Sequence, residues 1–124
     1  MANVTKSANV YFPMPPSGSQ AWVSAYLAPS GKGIGVYLRL ARGEFGDSAF
    51  EDLQAEQEAI NEELGLPEVE WRSRNGKHSI STRMAGVDPL DPAQQEDIRQ
   101  WIADHVNRFV NVFRPRLARL VATA

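Results

Sequence analysis

The spacing of hydrophobic and polar residues changes several times along this chain of 124 residues. In residues 21–42, aliphatic side chains occupy every second position on both sides of residues 29–32, which is typical of a β-hairpin with one buried face. A turn centred on residues 30 and 31 places Leu27 opposite Ile34 on that face. The outer face then carries Trp22, Tyr26, Tyr37 and Arg39.

A second alternating segment begins at residue 68. The dipeptide Asn75-Gly76 follows it, and this pair is a strong signal for a two-residue type I′ hairpin turn. In the register that this turn sets, Trp71 pairs with Ile80. The segment is therefore predicted to form a second hairpin.

Residues 43–64 have helical spacing instead, with apolar side chains at three- and four-residue steps. Ser48 and Glu51 match a capping box, which predicts the N-terminal end of this helix. Gly65 is a suitable residue for its C-terminal cap.

Residues 91–122 form the strongest helical pattern, a long amphipathic helix. Asp91 is placed to cap its N-terminus, and Pro92 suits the first helical position. Pro115 removes one backbone hydrogen bond, so we expect a kink or a break near Arg114.

The element order is thus (β)ββαββα, where the first strand is a short edge strand or extended segment within residues 9–12. Burying two apolar helical stripes and one apolar sheet face predicts an α+β fold. We expect a two-layer sandwich in which an antiparallel sheet of four or five strands carries two helices on one face. Residues 1–20 are predicted to form a flexible or extended N-terminal arm, and residues 21–124 a single domain.

Composition narrows the function classes. The net charge is -2 and there are no cysteines, which excludes disulfides, thiolate metal sites and a catalytic cysteine. No apolar run is long enough to span a membrane, so we expect a cytoplasmic protein without a membrane partner.

The candidate catalytic groups have simpler structural explanations. His105 lies in the apolar stripe of the last helix, and its neighbour Asp104 points about a hundred degrees away from it. His78 has Ser73 and Ser79 nearby but no nucleophile elbow. The acidic residues of the first helix, such as Glu58, are expected to form a solvated face. No catalytic residue, metal site or cofactor is therefore predicted.

Two surfaces remain as candidate contact sites. Four residues cluster at the second hairpin turn, where they suit phosphate or an acidic surface: Arg72, Arg74, Lys77 and His78. The outer face of the first hairpin adds Trp22, Tyr26, Tyr37 and Arg39, which could stack bases or anchor a protein. Alternatively, Trp22 and Arg39 form a cation–π pair and Tyr26 covers Gly35. A protein partner or a homodimer is the expected contact, with nucleic acid as a further possibility.

Several motifs carry a resemblance to a known family: residues 61–65, Glu70-Trp71, residues 76–80, Trp101-Ile102 and residues 109–117. Over roughly residues 33 to 118 the chain resembles a bacterial family known only as a domain of unknown function. The resemblance implies this α+β fold. It also implies an association with nucleases, because domains of this family often lie C-terminal to restriction-endonuclease-like nuclease domains in longer chains. The leading hypothesis is a non-enzymatic accessory or interaction module. The alternative is a small enzyme or small-ligand-binding domain with a pocket between sheet and helices near His105.

Overall fold

A computed structural model describes residues 11–28, 33–66 and 68–123 of the chain. Five antiparallel strands form one sheet in the order β1-β2-β3-β5-β4, and the helices cover one of its faces. The predicted α+β architecture is confirmed. The strands are β1 Tyr11–Pro13, β2 Ala21–Ala28, β3 Gly33–Leu40, β4 Glu70–Arg74 and β5 Lys77–Ala85, and the helices are α1 Glu44–Ala55, α2 Gln57–Leu64 and α3 Gln95–Thr123.

The first hairpin has the predicted register. Leu27 pairs with Ile34, and Trp22 pairs with Arg39 on the opposite face. The predicted turn at residues 29–32 lies outside the described residues. On the other side of β2, the short strand β1 forms the sheet edge, and Met14 directly after it is buried.

The second hairpin also forms as predicted. Asn75 and Gly76 have positive φ angles of 54° and 78°, which a type I′ turn requires at both central residues. Arg74 and Lys77 pair directly across this turn, and Trp71 pairs with Ile80.

The first helical segment differs from the prediction. It is divided at Glu56, whose φ of -106° and ψ of 19° separate α1 from α2. Helix α1 begins at Glu44, so Ser48 lies inside it and the predicted capping box was wrong. The connection from β3 to α1 is short. It brings Gly46 close to the backbone carbonyl of Ala41, and this approach is possible because glycine has no side chain. The predicted cap at Gly65 is confirmed, with a left-handed conformation at φ 65°.

The last helix begins with a short 3₁₀ turn, Pro92–Gln94, where Asp91 Oδ1 accepts the Ala93 N–H at 2.9 Å. Pro115 lies inside α3, and the helix continues through it; of the expected kink or break, the break does not occur. Asn111 loses its helical partner to this proline, but it is exposed and its carbonyl can bond to solvent.

The core lies between the inner face of the sheet and the helices. Each large apolar side chain buried there contributes roughly 1.5–3 kcal/mol relative to an exposed one. The largest fully buried side chains include Phe109, Phe113 and Leu117 of α3, Leu53 of α1, Ile60 and Leu64 of α2, and Ile34, Leu38 and Ile80 of the sheet. The helices thus occupy one face and leave the other for contacts.

Candidate functional site

The outer face of the sheet carries one row of side chains that crosses four strands. Trp22 on β2 pairs with Arg39 on β3, and Arg39 pairs with Ser79 on β5. Ser79 in turn pairs with Arg72 on β4. Three interstrand spacings separate Trp22 from Arg72, a span of roughly 14 Å. This row joins an aromatic half of the face to a basic half.

The aromatic half lies on β1, β2 and β3. Tyr11 and Trp22 have ring centroids 6.3 Å apart, and the Tyr11 hydroxyl donates to the Gly18 carbonyl. Tyr26 and Tyr37 form a second pair, also at 6.3 Å. We call Trp22, Tyr26 and Tyr37 the aromatic strip; all three side chains are half-buried.

Two alternatives for this strip are now resolved. A Cβ placed on Gly35 would lie 2.3 Å from Tyr26 Cε2, so the Tyr26 ring does cover this glycine. The Arg39 guanidinium, however, lies over Tyr37, 5.0 Å from the ring centroid. Arg39 therefore contacts a neighbour on its own strand, two residues away on the same face. Among the described residues its cation–π contact is with Tyr37 and not with Trp22.

The basic half forms an open groove of about 600 Å³ at the end of the sheet near the second hairpin turn. The small side chain of Ser79 lies between Arg39 and Arg72 and leaves room there. A Cβ placed on Gly76 would lie 3.6 Å from Arg42 Cγ, so the Arg42 stem lies beside the turn. Five cationic side chains line this basic groove: Arg39, Arg42, Arg72, Arg74 and Lys77.

Little negative charge offsets these cations. Arg72 Nη2 lies 3.0 Å from Glu70 Oε2, but both side chains are more than half exposed, and such pairs contribute about 0–1 kcal/mol. In the part of the chain that the structure describes, no ion pair involves Arg39, Arg42, Arg74 or Lys77. The groove is therefore a positive site on a chain whose net charge is -2.

His78, which the sequence grouped with this basic cluster, points to the opposite face. Lys77 and Ser79 face outward, so strand alternation turns His78 inward, where it is 7% exposed. Its ring stacks on Phe50 with centroids 4.6 Å apart. Its Nε2–H donates to Asp47 Oδ1 at 2.8 Å. The His78 ring therefore points away from the five cations, although His78 is among the residues that line the groove.

A Ser–His–Asp chain nevertheless exists, since Ser73 Oγ lies 2.8 Å from His78 Nδ1. Catalytic triads use the two ring nitrogens the other way round, with the serine at Nε2. These two hydrogen bonds give both nitrogens of the buried His78 ring a partner, and they join α1 to the second hairpin.

His105 is half-buried and stacks on Trp101 with ring centroids 3.9 Å apart. Its Nδ1–H donates to the Trp101 carbonyl at 2.7 Å. Burial lowers the pKa of His105, while the bond to Trp101 and the charge of Asp104 oppose that change. A cavity of about 360 Å³ lies between sheet and α3, but neither His105 nor Asp104 lines it; its walls are Ile34, Met84, Val87, Gln94, Asp97, Ile98 and Trp101.

Among residues 11–28, 33–66 and 68–123, no group of three or more His, Cys, Asp or Glu side chains is placed to hold a metal ion. No helix in this part of the chain is both long and apolar enough to cross a membrane. These findings leave the outer sheet face as the site with the most distinctive chemistry.

A family model described as "Domain of unknown function (DUF4268)" matches residues 17–117, which include every element from β2 to most of α3. The predicted resemblance to a family of unknown function is confirmed, and the match extends further towards the N-terminus than expected. No curated protein and no solved structure matches the chain.

Proposed function

The chain belongs to the DUF4268 family, whose description assigns no activity, and from its own surface we propose that it is a non-enzymatic binding module for nucleic acid. In this proposal the basic groove holds the phosphate backbone. The module catalyses no reaction itself. It increases the affinity of a partner protein for nucleic acid, and the partner carries out the reaction.

The observation that carries the proposal is the convergence of five cations, four of them without an ion pair among the described residues, on one open face. Cations without an ion-pair partner suit phosphate contacts. Each phosphate that such a cation neutralises releases counterions, and this release contributes to affinity. The acidic side chains, by contrast, are concentrated on α1 and α2, on the other side of the sheet. This separation of charge gives an acidic chain a local anion-binding surface.

The resemblance supplies the context for this module. It implies that such domains often lie C-terminal to restriction-endonuclease-like nucleases, so we propose an accessory role beside a DNA-processing protein in the bacterial cytoplasm. The competing partner is an acidic protein surface, including α1 and α2 of a second copy, because charge complementarity alone would also favour it.

The test is fluorescence anisotropy with labelled DNA at low and high salt. We expect binding that weakens with salt and that falls about tenfold or more in the double variant Arg74→Glu, Lys77→Glu. A matched control is Arg114→Glu combined with Arg119→Glu, which makes the same charge change on exposed positions of α3. Absence of salt-dependent binding, or an equal loss in the control, would contradict the proposal. Salt-sensitive self-association in sedimentation experiments would support the second copy instead.

The 360 Å³ cavity favours a second candidate function, binding of a small ligand. Its volume lies within the range of small-molecule sites, and its walls are mostly apolar, with Asp97 and Trp101 both among the lining residues. An apolar amine fits these groups. A thermal-shift screen with such amines, repeated on Ile98→Phe to fill the cavity, separates this function from nucleic-acid binding.

A further inference from the structure

The aromatic strip and the basic groove are parts of one continuous surface, and Arg39 connects them. It lines the groove, pairs across strands with Trp22 and covers one face of Tyr37. A phosphate bound in the groove is therefore within one cross-strand position of an aromatic ring. A nucleic acid that extends from the groove past Arg39 reaches the strip.

The rings of the strip are held in place before any ligand arrives. Tyr26 lies over Gly35, where no side chain competes for the space, and Tyr37 supports it from the next strand. Trp22 is held by Tyr11, whose hydroxyl is fixed on the Gly18 carbonyl. Preorganised rings lose little conformational entropy on binding, so each contact contributes more to affinity.

Rings on an open sheet suit unpaired bases and not a duplex. In a duplex, both faces of an interior base are covered by its neighbours, and proteins read only base edges in the grooves. A broad five-stranded sheet does not fit into a groove that admits one helix or a two-stranded ribbon. A single strand exposes its bases, and these stack on aromatic side chains while cations follow the phosphates.

We infer that the nucleic acid bound by this face is single-stranded and that its bases stack on Trp22 and Tyr26, with its phosphates in the basic groove. This inference rests on the proposed nucleic-acid function. The two rings are four residues apart on β2, about 13 Å, so one strand running along β2 reaches both. Tyr37 has a supporting role, because Arg39 already covers its ring.

The experiment compares three labelled probes of about 12 nucleotides, a length within the ~4–16 nucleotides that small sheet-based binders cover. The probes are oligothymidylate, oligouridylate and a DNA duplex. We expect the single strands to bind at least about tenfold more tightly than the duplex. Binding of either single strand supports the inference, and the preference between them identifies DNA or RNA.

Substitutions then separate stacking from charge. Trp22→Ala and Tyr26→Ala should each weaken single-strand binding by about 5- to 100-fold, whereas Trp22→Phe and Tyr26→Phe should stay within about threefold. If the duplex binds as well as the single strands and the alanine variants bind normally, but Arg74→Glu with Lys77→Glu still loses affinity, the inference is overturned and the proposed function stands. If no probe binds, the proposed function fails as well.

Intrinsic fluorescence covers the case in which an alanine variant does not fold. A base stacked on Trp22 should quench its emission. Trp101 stacks on His105 of α3, and Trp71, which lines the groove, packs near Phe50 and donates to Asn61, so neither is replaced in the Trp22→Phe comparison. Oligothymidylate should therefore quench the wild-type protein, and most of this quenching should disappear in Trp22→Phe. Equal quenching in both proteins would overturn the assignment of Trp22.

Discussion

Arg116 on α3 forms a two-pronged ion pair with Glu63 on α2: Nη2 donates to Oε2 at 2.6 Å and Nη1 to Oε1 at 3.2 Å. The same guanidinium reaches Glu56, at the junction between α1 and α2, at 3.3 Å. The Arg116 side chain is only 11% exposed. One arginine thus joins the last helix to both acidic helices.

Replacing Arg116 should therefore lower stability more than replacing a neighbouring cation. Arg116→Met keeps the stem but leaves two carboxylates without their partner, and Arg116→Lys should recover only part of the loss because lysine lacks the planar fork. Thermal melting measures the effect. Arg114→Met, at an exposed position of α3, is the control. Equal melting temperatures for all these variants would show that the bridge contributes nothing.

The same contact predicts an acid dependence. The hydrogen bond from Arg116 lowers the pKa of Glu63 from its ordinary value of 4.5. A carboxyl with a lowered pKa in the folded state stabilises the fold above 4.5, and this contribution is lost as the pH falls through the folded pKa. Urea denaturation between neutral and acidic pH should show a shallower loss for Glu63→Gln than for the wild-type protein. Identical slopes would contradict the assignment.

His105 should add a second dependence, at higher pH. Burial lowers its pKa below 6.5, so the unfolded chain binds more protons than the folded chain between the two values. The contribution is complete above 6.5 and decreases as the pH falls towards the folded pKa. An NMR titration of the His105 ring should give a midpoint below 6.5, and a midpoint above it would refute this prediction.

Gly46 should tolerate no side chain. A Cβ there would lie 2.1 Å from the Ala41 carbonyl oxygen, which is backbone and cannot rotate away. Gly46→Ala should cost about 1–3 kcal/mol by overpacking, despite the better helix propensity of alanine. Urea unfolding measures this cost. Ser48→Ala, at an exposed position of the same helix, should change stability by less than about 0.5 kcal/mol.

Much of the sheet follows from local patterns. Period-two alternation and the Asn75-Gly76 turn were sufficient for the hairpin registers, because a slip of one residue would move every aliphatic side chain to the wrong face. The division at Glu56 had no such signal. Residues on both sides of it continue the helical spacing, so the local pattern does not mark the interruption.

The site was less predictable than the hairpins, because it depends on contacts between residues that are distant in the sequence. Strand alternation alone could have placed His78 inward, but its partner Asp47 is 31 residues away and no local pattern links them. Arg39 and Arg42 join the hairpin cluster only because β3 pairs with β5, which neither hairpin pattern specifies. The basic groove is thus a product of strand order, and the sequence contained only its separate parts.

The three-residue strand β1 affects whether further strands can add to the edge of the sheet. An uncovered strand edge is a template on which further chains can add, and β2 would present one if β1 were absent. Pro13 within β1 has no N–H to offer to an incoming strand, and charged residues on β4 discourage pairing at the opposite edge. Both edge strands of the sheet therefore disfavour the addition of further strands, which would otherwise lead to open-ended polymerisation.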